Sequence, residues 1–393
     1  MRVLHLGKFF PPFAGGMESF LADLLAALPT KGVTTAALVH DHRPGQRGQW
    51  PKPAELPLVY RVPCYGRLLY APLSPAFPFW LNRAIHEFQP DLLHLHLPNP
   101  STFWALALPA ARRLPWVIQW QADVVATPLD RWLGRAYRLY RPLEQRLLAA
   151  SQAVIVASPP YLDASTALTR WRDRCHIIPL GIDPARIPVP EPPARQRAEA
   201  WWGQTGFRIL AIGRLTYYKG HDVLVRAVTE LTNSRTLIVG TGDRQTQLAT
   251  LIQTLGLDGR VVLPGLQPDA DLNALLATCD VLCLPSLDRA EAFGLVLLEA
   301  MRFGKPVVVS DISGSGAGWV TQQAGHGWLT PPGDAGALAA ALRALRDDPA
   351  QRAALGLSGK TALREQFGIG RVAEATVKLY QQILSGYQTA RLD

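Results

Sequence analysis

The chain has 393 residues, more than one hydrophobic core usually organises, so two domains are expected. Apolar residues make up 48% and charged residues 18%, which excludes a disordered chain and fits a globular enzyme. The formal charge of +9 is uneven: residues 1–190 hold 20 Lys and Arg against 12 Asp and Glu, and residues 191–393 hold 20 against 19. A basic half beside a neutral half points to an acidic surface as partner of the first half.

The N-terminal segment MRVLHLGKFF reads as a first strand and lacks the apolar stretch and cleavage site of a signal peptide. Segments 34–40, 91–97, 116–120 and 153–158 repeat that short apolar pattern, and 17–28 and 103–114 have helical periodicity between them. Alternation of this kind predicts a parallel sheet wrapped by helices. Prolines 188, 190, 192 and 193 mark a linker, and the pattern then restarts. Strands are expected at 207–214, 235–240, 260–265, 281–286 and 306–311, and helices near 221–232, 243–255, 271–278, 294–303 and 335–346. The predicted organisation is a first α/β domain over 1–186, a linker region over 187–206, a second over 207–366, and a last helix within 367–393 packing back on the first. Two doubly wound domains of this type would face each other across a cleft with the carboxyl ends of their strands, where ligands bind. No apolar run reaches the ~18 residues of a membrane span. Cys64, Cys175, Cys279 and Cys283 lack zinc-like spacing and read as reduced packing residues of a cytosolic protein.

The run from Glu291 to Glu299, EAFGLVLLE, is the most informative stretch. A helix beginning near Gly294 leaves Glu291 on the preceding loop and carries Glu299 about a turn further in. Amides near Phe293, Gly294 and Leu295 would then point at whatever lies above the helix start, a place that favours phosphate. A core helix with one solvated and one capping glutamate is the plainer account of the same spacing. Gly15 and Gly16 leave the first strand and open a helix, so backbone can approach a ligand closely. Arg214 and Lys219 end the first strand of the second domain in a glycine-bounded loop, where two cations can grip a diphosphate. His94 and His96 alternate on one strand and share a face. No nearby Cys or carboxylate completes a metal set, so packed or hydrogen-bonded histidines are expected. Asp269 and Asp271 have the spacing of a metal-binding pair but precede a helix, which favours capping. Arg131, Arg135, Arg138 and Arg141, with Trp132, Tyr137 and Tyr140, have the look either of a membrane-surface helix or of a solvated basic face.

Taken together, these residues resemble the retaining GT-B glycosyltransferases of glycosyltransferase family 4, of the bacterial lipopolysaccharide or exopolysaccharide type. The resemblance runs nearly end to end. It covers Gly15-Gly16, Asp91 to His96, His176 to Asp183, Gly213-Arg214 with Lys219-Gly220, Val239 to Asp243, and Pro285-Ser286 leading into Glu291 to Met301. It implies two Rossmann-like domains and a UDP- or GDP-sugar donor. Gly15 and Gly16 would contact donor phosphates, and Arg214 and Lys219 would neutralise the diphosphate. Glu299 would hold the ribose, and Glu291 would lie by the donor sugar with the amides of Phe293, Gly294 and Leu295. No metal or other cofactor is implied, and no nucleic-acid partner is expected. The acceptor would be a lipid-linked or glycan molecule, reached by a cytoplasmic protein held peripherally on the anionic inner face of the cell membrane. One departure stands out: the family often carries histidine where this chain has Gln121, while Asp123 two residues on is kept as a catalytic candidate. Gln121 can hydrogen-bond a sugar hydroxyl, and His94 is a second candidate contact, but an amide cannot take a proton. A nucleotide-sugar epimerase on the same fold, and a catalytically weak sugar-binding or scaffold protein, are the alternatives.

Overall fold

The computed structural model describes the chain apart from residues 47, 52–56, 69–70, 125–130, 205 and 390–393, and apart from the side chains of 131–133 and 388–389. Two units separate cleanly: Met1–Gly181 together with Ile369–Asp393, and Ile182–Gly368.

The first unit is built on seven strands: β1 (Arg2–Leu6), β2 (Thr34–His40), β3 (Leu58–Val62), β4 (Leu92–Leu97), β5 (Trp116–Trp120), β6 (Ala153–Val156) and β7 (Cys175–Ile177). All pair in parallel, in the order β3-β2-β1-β4-β5-β6-β7. The strands are near-continuous apolar runs because helices cover both faces. Every residue of β4 is buried, which takes His94 and His96 into the core with their leucine neighbours. The final helix, Ile369–Thr389, packs on helix Gly16–Ala27 and on the turn Leu28–Lys31 that follows it. It buries Val372, Ala373, Thr376, Val377, Leu379 and Tyr380.

The second unit repeats the plan with six parallel strands: β8 (Phe207–Ile212), β9 (Ser234–Val239), β10 (Val261–Gly265), β11 (Val281–Leu284), β12 (Val307–Ser310) and β13 (Gly327–Thr330). Their order is β10-β9-β8-β11-β12-β13. In each sheet the chain winds outward from its first strand, then crosses back to start again on that strand's other side. The crossing leaves a crevice at the carboxyl ends of β1 and β4 in one unit and of β8 and β11 in the other.

Two expectations change. Residues 187–206, read as a linker, carry the helix Pro192–Trp202 within the second unit. Pro192 and Pro193 open that helix, where the first amides have no intrahelical partner to lose, and Trp202 is fully buried at its end. The single helix expected over 103–114 divides into Trp104–Ala107 and Pro109–Arg112, because Pro109 cannot continue the first and starts the second.

Candidate active site

In the second unit, β8 and β11 are neighbours, so the loops leaving them meet. Gly220 has φ 61° and stands against the carbonyl of Pro285, where a side chain would collide with backbone. That close approach lets the amide of Leu287 donate to the carbonyl of Tyr218 at 2.7 Å. It brings together two residues 72 apart in the chain: Lys219 Nζ donates to Glu291 Oε2 at 2.6 Å. Both side chains are nearly buried, at 12% and 9% exposure.

The pair is held from several sides. Ser286 Oγ donates to the same Glu291 oxygen at 3.1 Å, and Ser315 Oγ donates to the Glu291 carbonyl. The Glu291 amide donates to the Asp288 carbonyl at 3.1 Å. Glu291 Oε1 takes none of these bonds. Burial pulls the Lys219 ammonium down, but the adjacent Glu291 carboxylate outweighs it and the net shift is upward, so Lys219 stays a cation. Burial raises the Tyr218 hydroxyl, against the cations of Lys219 and Arg214 beside it. Arg214 itself is exposed.

Gly294, with φ 78°, ends this loop and is the N-cap of helix Leu295–Arg302. Among the described residues, no side chain caps that helix. The Leu297 amide donates to the Gly294 carbonyl at 2.9 Å, which leaves the amides of Leu295 and Val296 as the uncapped helix start. Phe293 turns inward at 3% exposure, with its ring edge to Phe367, so only its backbone can serve a ligand. Leu295 and Glu299 are half-buried on the helix, Glu299 about a turn beyond the cap. Asp269 and Asp271 do not cap: Pro268 holds the N-cap position, and Asp271 is ion-paired with Arg197 on helix Pro192–Trp202.

In the first unit, Gly15 is the N-cap of helix Gly16–Ala27, with extended backbone. Glu18 folds back over this helix start at 5% exposure, close enough that a side chain at Gly15 would strike its carboxylate. The small cavity at this sheet end is lined by Gly7, Lys8, Glu18, His96 and Gln121 among others. Gln121 is buried, with its amide 3.2 Å from His96 Nδ1. Asp123, a catalytic candidate from sequence, is hydrogen-bonded into the fold. Its Oδ1 accepts from Trp120 Nε1 at 2.9 Å and from Ser165 Oγ at 2.7 Å, and its amide meets the Tyr161 hydroxyl at 2.6 Å. His94, a candidate sugar contact from sequence, is fully buried, with Nδ1 on the hydroxyl of Tyr380 from the final helix.

Burial holds His5, His94 and His96 well below their ordinary pKa, His96 at about 3, with His96 adding to the effect on the other two. His5, Ser315 and Tyr380 were not singled out from sequence. Each acts on a residue far away in the chain, and only the fold joins them.

Two Rossmann-like units, each with a glycine-bounded loop at its switch point, define the GT-B class of sugar transferase. Residues 15–181 match the family described as "Glycosyl transferase 4-like domain", and residues 195–362 match "Glycosyl transferases group 1". The chain is 29% identical to the O-antigen chain mannosyltransferase C of Escherichia coli over 98% of this chain and 99% of that one. It is 30% identical to the lipopolysaccharide core biosynthesis glycosyltransferase LpsD of Rhizobium meliloti over 97% and 98%. Among solved structures it resembles the sucrose-phosphate synthase of Thermosynechococcus elongatus, with a TM-score of 0.79 at 22% identity over 98% of this chain and all of that one. Anabaena HepE in complex with UDP gives 0.71 at 21% identity over 97% of this chain and all of HepE. The chain belongs to the GT-B glycosyltransferases of the family 4 type.

Proposed function

We propose that this glycosyltransferase moves a sugar from a UDP- or GDP-sugar to a lipid-linked or polysaccharide acceptor in cell-surface glycan synthesis, with retention of anomeric configuration and without a metal ion. The observation that carries the reading is the Lys219–Glu291 pair beside the uncapped start of helix Leu295–Arg302. As the bond from the sugar C1 to the diphosphate breaks, negative charge grows on the leaving oxygens. A cation fixed in a nearly dry site and a row of helix amides stabilise that charge with little reorganisation. Arg214 adds a second cation with a planar fork. Glu291 Oε1 accepts from a donor-sugar hydroxyl, and the Glu299 carboxylate accepts from the ribose hydroxyls. The acceptor oxygen bonds to C1 on the face the diphosphate leaves, and its proton passes to a diphosphate oxygen.

The relatives in O-antigen and lipopolysaccharide synthesis support the product class, and the UDP complex of HepE supports a nucleoside diphosphate donor. Exposed Arg135, Arg138 and Arg141 support a peripheral position on the inner face of the membrane. No described helix is long and apolar enough to cross one. The test is transfer from UDP- and GDP-sugars to a lipid-linked acceptor in excess EDTA, with the product anomer read by NMR. An inverted anomer overturns retention. Activity lost in EDTA and restored by magnesium or manganese overturns metal independence.

A further inference from the structure

The core of the first unit holds a histidine triad that the transfer chemistry above does not use. His94 and His96 stack on β4 with ring centroids 4.6 Å apart. His5 on β1 stands opposite His94 in register, with its ring 4.8 Å from that of His94 and 5.4 Å from that of His96. One nitrogen from each ring falls within 4.8 Å of the others. All three residues are buried. His5 Nδ1 meets His96 Nε2 at 3.1 Å, while among the described residues His5 Nε2 and His94 Nε2 have no hydrogen-bond partner. Unpartnered polar nitrogens at full burial are costly, and two in one cluster call for a ligand.

We propose that His5, His94 and His96 form a buried binding site for a divalent transition-metal ion of the zinc type. Two features point there. Ligands around tetrahedral zinc stand about 3.3 Å apart, so the widest pair closes by at most about 1.5 Å, within reach of small ring rotations. The outer contacts are those that orient ligating histidines. His94 Nδ1 is 2.5 Å from the Tyr380 hydroxyl and His96 Nδ1 is 3.2 Å from the Gln121 amide. With its Nδ1 proton given to Tyr380, His94 turns an Nε2 lone pair inward; Gln121 Nε2 faces His96 Nδ1, and the amide turned over by 180° would put its oxygen there and hold the same tautomer in His96. Gln121 stands where the family often has histidine, and on this reading it serves His96. Glu18 lines the same small cavity as His96 and Gln121. A water or hydroxide completes four-coordination.

The site is sealed, so the ion enters during folding and is structural. Transfer activity does not report on it, and this inference stands or falls apart from the proposed reaction. The full chain is unfolded in denaturant with EDTA, refolded with zinc chloride or with EDTA, then gel-filtered in EDTA. The zinc-refolded protein is expected to keep about one zinc per chain and to melt several degrees above the EDTA-refolded protein. Refolding with cobalt(II) is expected to give the visible absorption bands of a tetrahedral nitrogen site, a readout that needs no variant. His5→Phe and His96→Phe are each expected to bring retained metal to background. Wild-type protein without retained zinc, with no cobalt bands and the same melting temperature in both refolds, overturns the proposal. So does zinc retained equally by folded His5→Phe and His96→Phe, which would place the ion elsewhere.

Discussion

At the scale of single residues, the Lys219–Glu291 pair is central. Removing one partner strands the other as a buried charge, and such losses run to about 3–5 kcal/mol. Glu291→Gln is therefore expected to lower both stability and turnover. The double variant Lys219→Met with Glu291→Leu is expected to regain most of the stability in urea melts and none of the activity. A double variant as unstable as Glu291→Gln would show that the pair does not act as a unit. Glu299→Gln tests the ribose assignment: loss of a charge-assisted hydrogen bond weakens donor binding by about 1.5–3 kcal/mol, with the melting temperature little changed. Calorimetric titration with the cognate donor measures it, and unchanged affinity rules the assignment out. These residues were legible because their signal is local. Glycine before an apolar run marks a helix start, and a carboxylate just ahead of it stands out. Their supports were not legible. Ser315 reaches Glu291 across 24 residues, His5 reaches His96 across 91, and Tyr380 reaches His94 across 286. No local pattern carries contacts of that length.

Among the elements, the apolar runs of β1, β2, β4, β5, β6 and β8–β12 read directly as strands, because burial on both faces leaves few other residue choices. Three strands of the two parallel sheets escaped. β3 is an edge strand with Arg61 in it, β7 has three residues, and β13 is the four-residue GWLT. Each is too short or too mixed to show a period. On the helix Arg131–Ala150, Tyr140 packs against Phe103 at 4.9 Å and Tyr137 donates to the buried carboxylate of Glu144. Arg135, Arg138 and Arg141 are exposed, with Leu139 at 80% between them, while the side chains of Arg131 and Trp132 lie outside the described residues. Each arginine near an anionic surface contributes about 1 kcal/mol. Replacing these three by glutamine is expected to remove most sedimentation with anionic vesicles and to leave donor binding intact. Equal binding to neutral vesicles would make this a solvated face. On the same helix, burial raises Glu144 to about 7, against the opposing hydrogen bond from Tyr137. The folded chain then holds a proton that the unfolded chain has released, so this group lowers stability as pH rises from about 4.5 to 7. Glu144→Gln should be the more stable protein at pH 8, by about 2–3 kcal/mol, and the gap should close at pH 4. A gap of equal size at both values would reject the assignment.

For the molecule as a whole, acid is the vulnerable side. Burial lowers His40 in the first unit to about 4, and lowers His221 to about 3 and His326 to about 4 in the second. Below the unfolded value near 6.5 the unfolded chain binds protons that the folded chain refuses, so stability falls with pH through that window. Each histidine contributes about 3 kcal/mol by pH 4, a large share of a typical ~5–15 kcal/mol. Circular dichroism is expected to show cooperative acid unfolding near pH 4–5, and an intact spectrum at pH 3.5 would reject it. The order of the chain has a further consequence for synthesis. The first unit is made first yet completed last, since Ile369–Thr389 belongs to it and carries the tyrosine that covers His94. While the ribosome is still making the second unit, the nascent first unit stands open along helix Gly16–Ala27, with a buried histidine still to be covered. The first unit can close only after residues 182–368 have been made and the helix that returns to it has emerged.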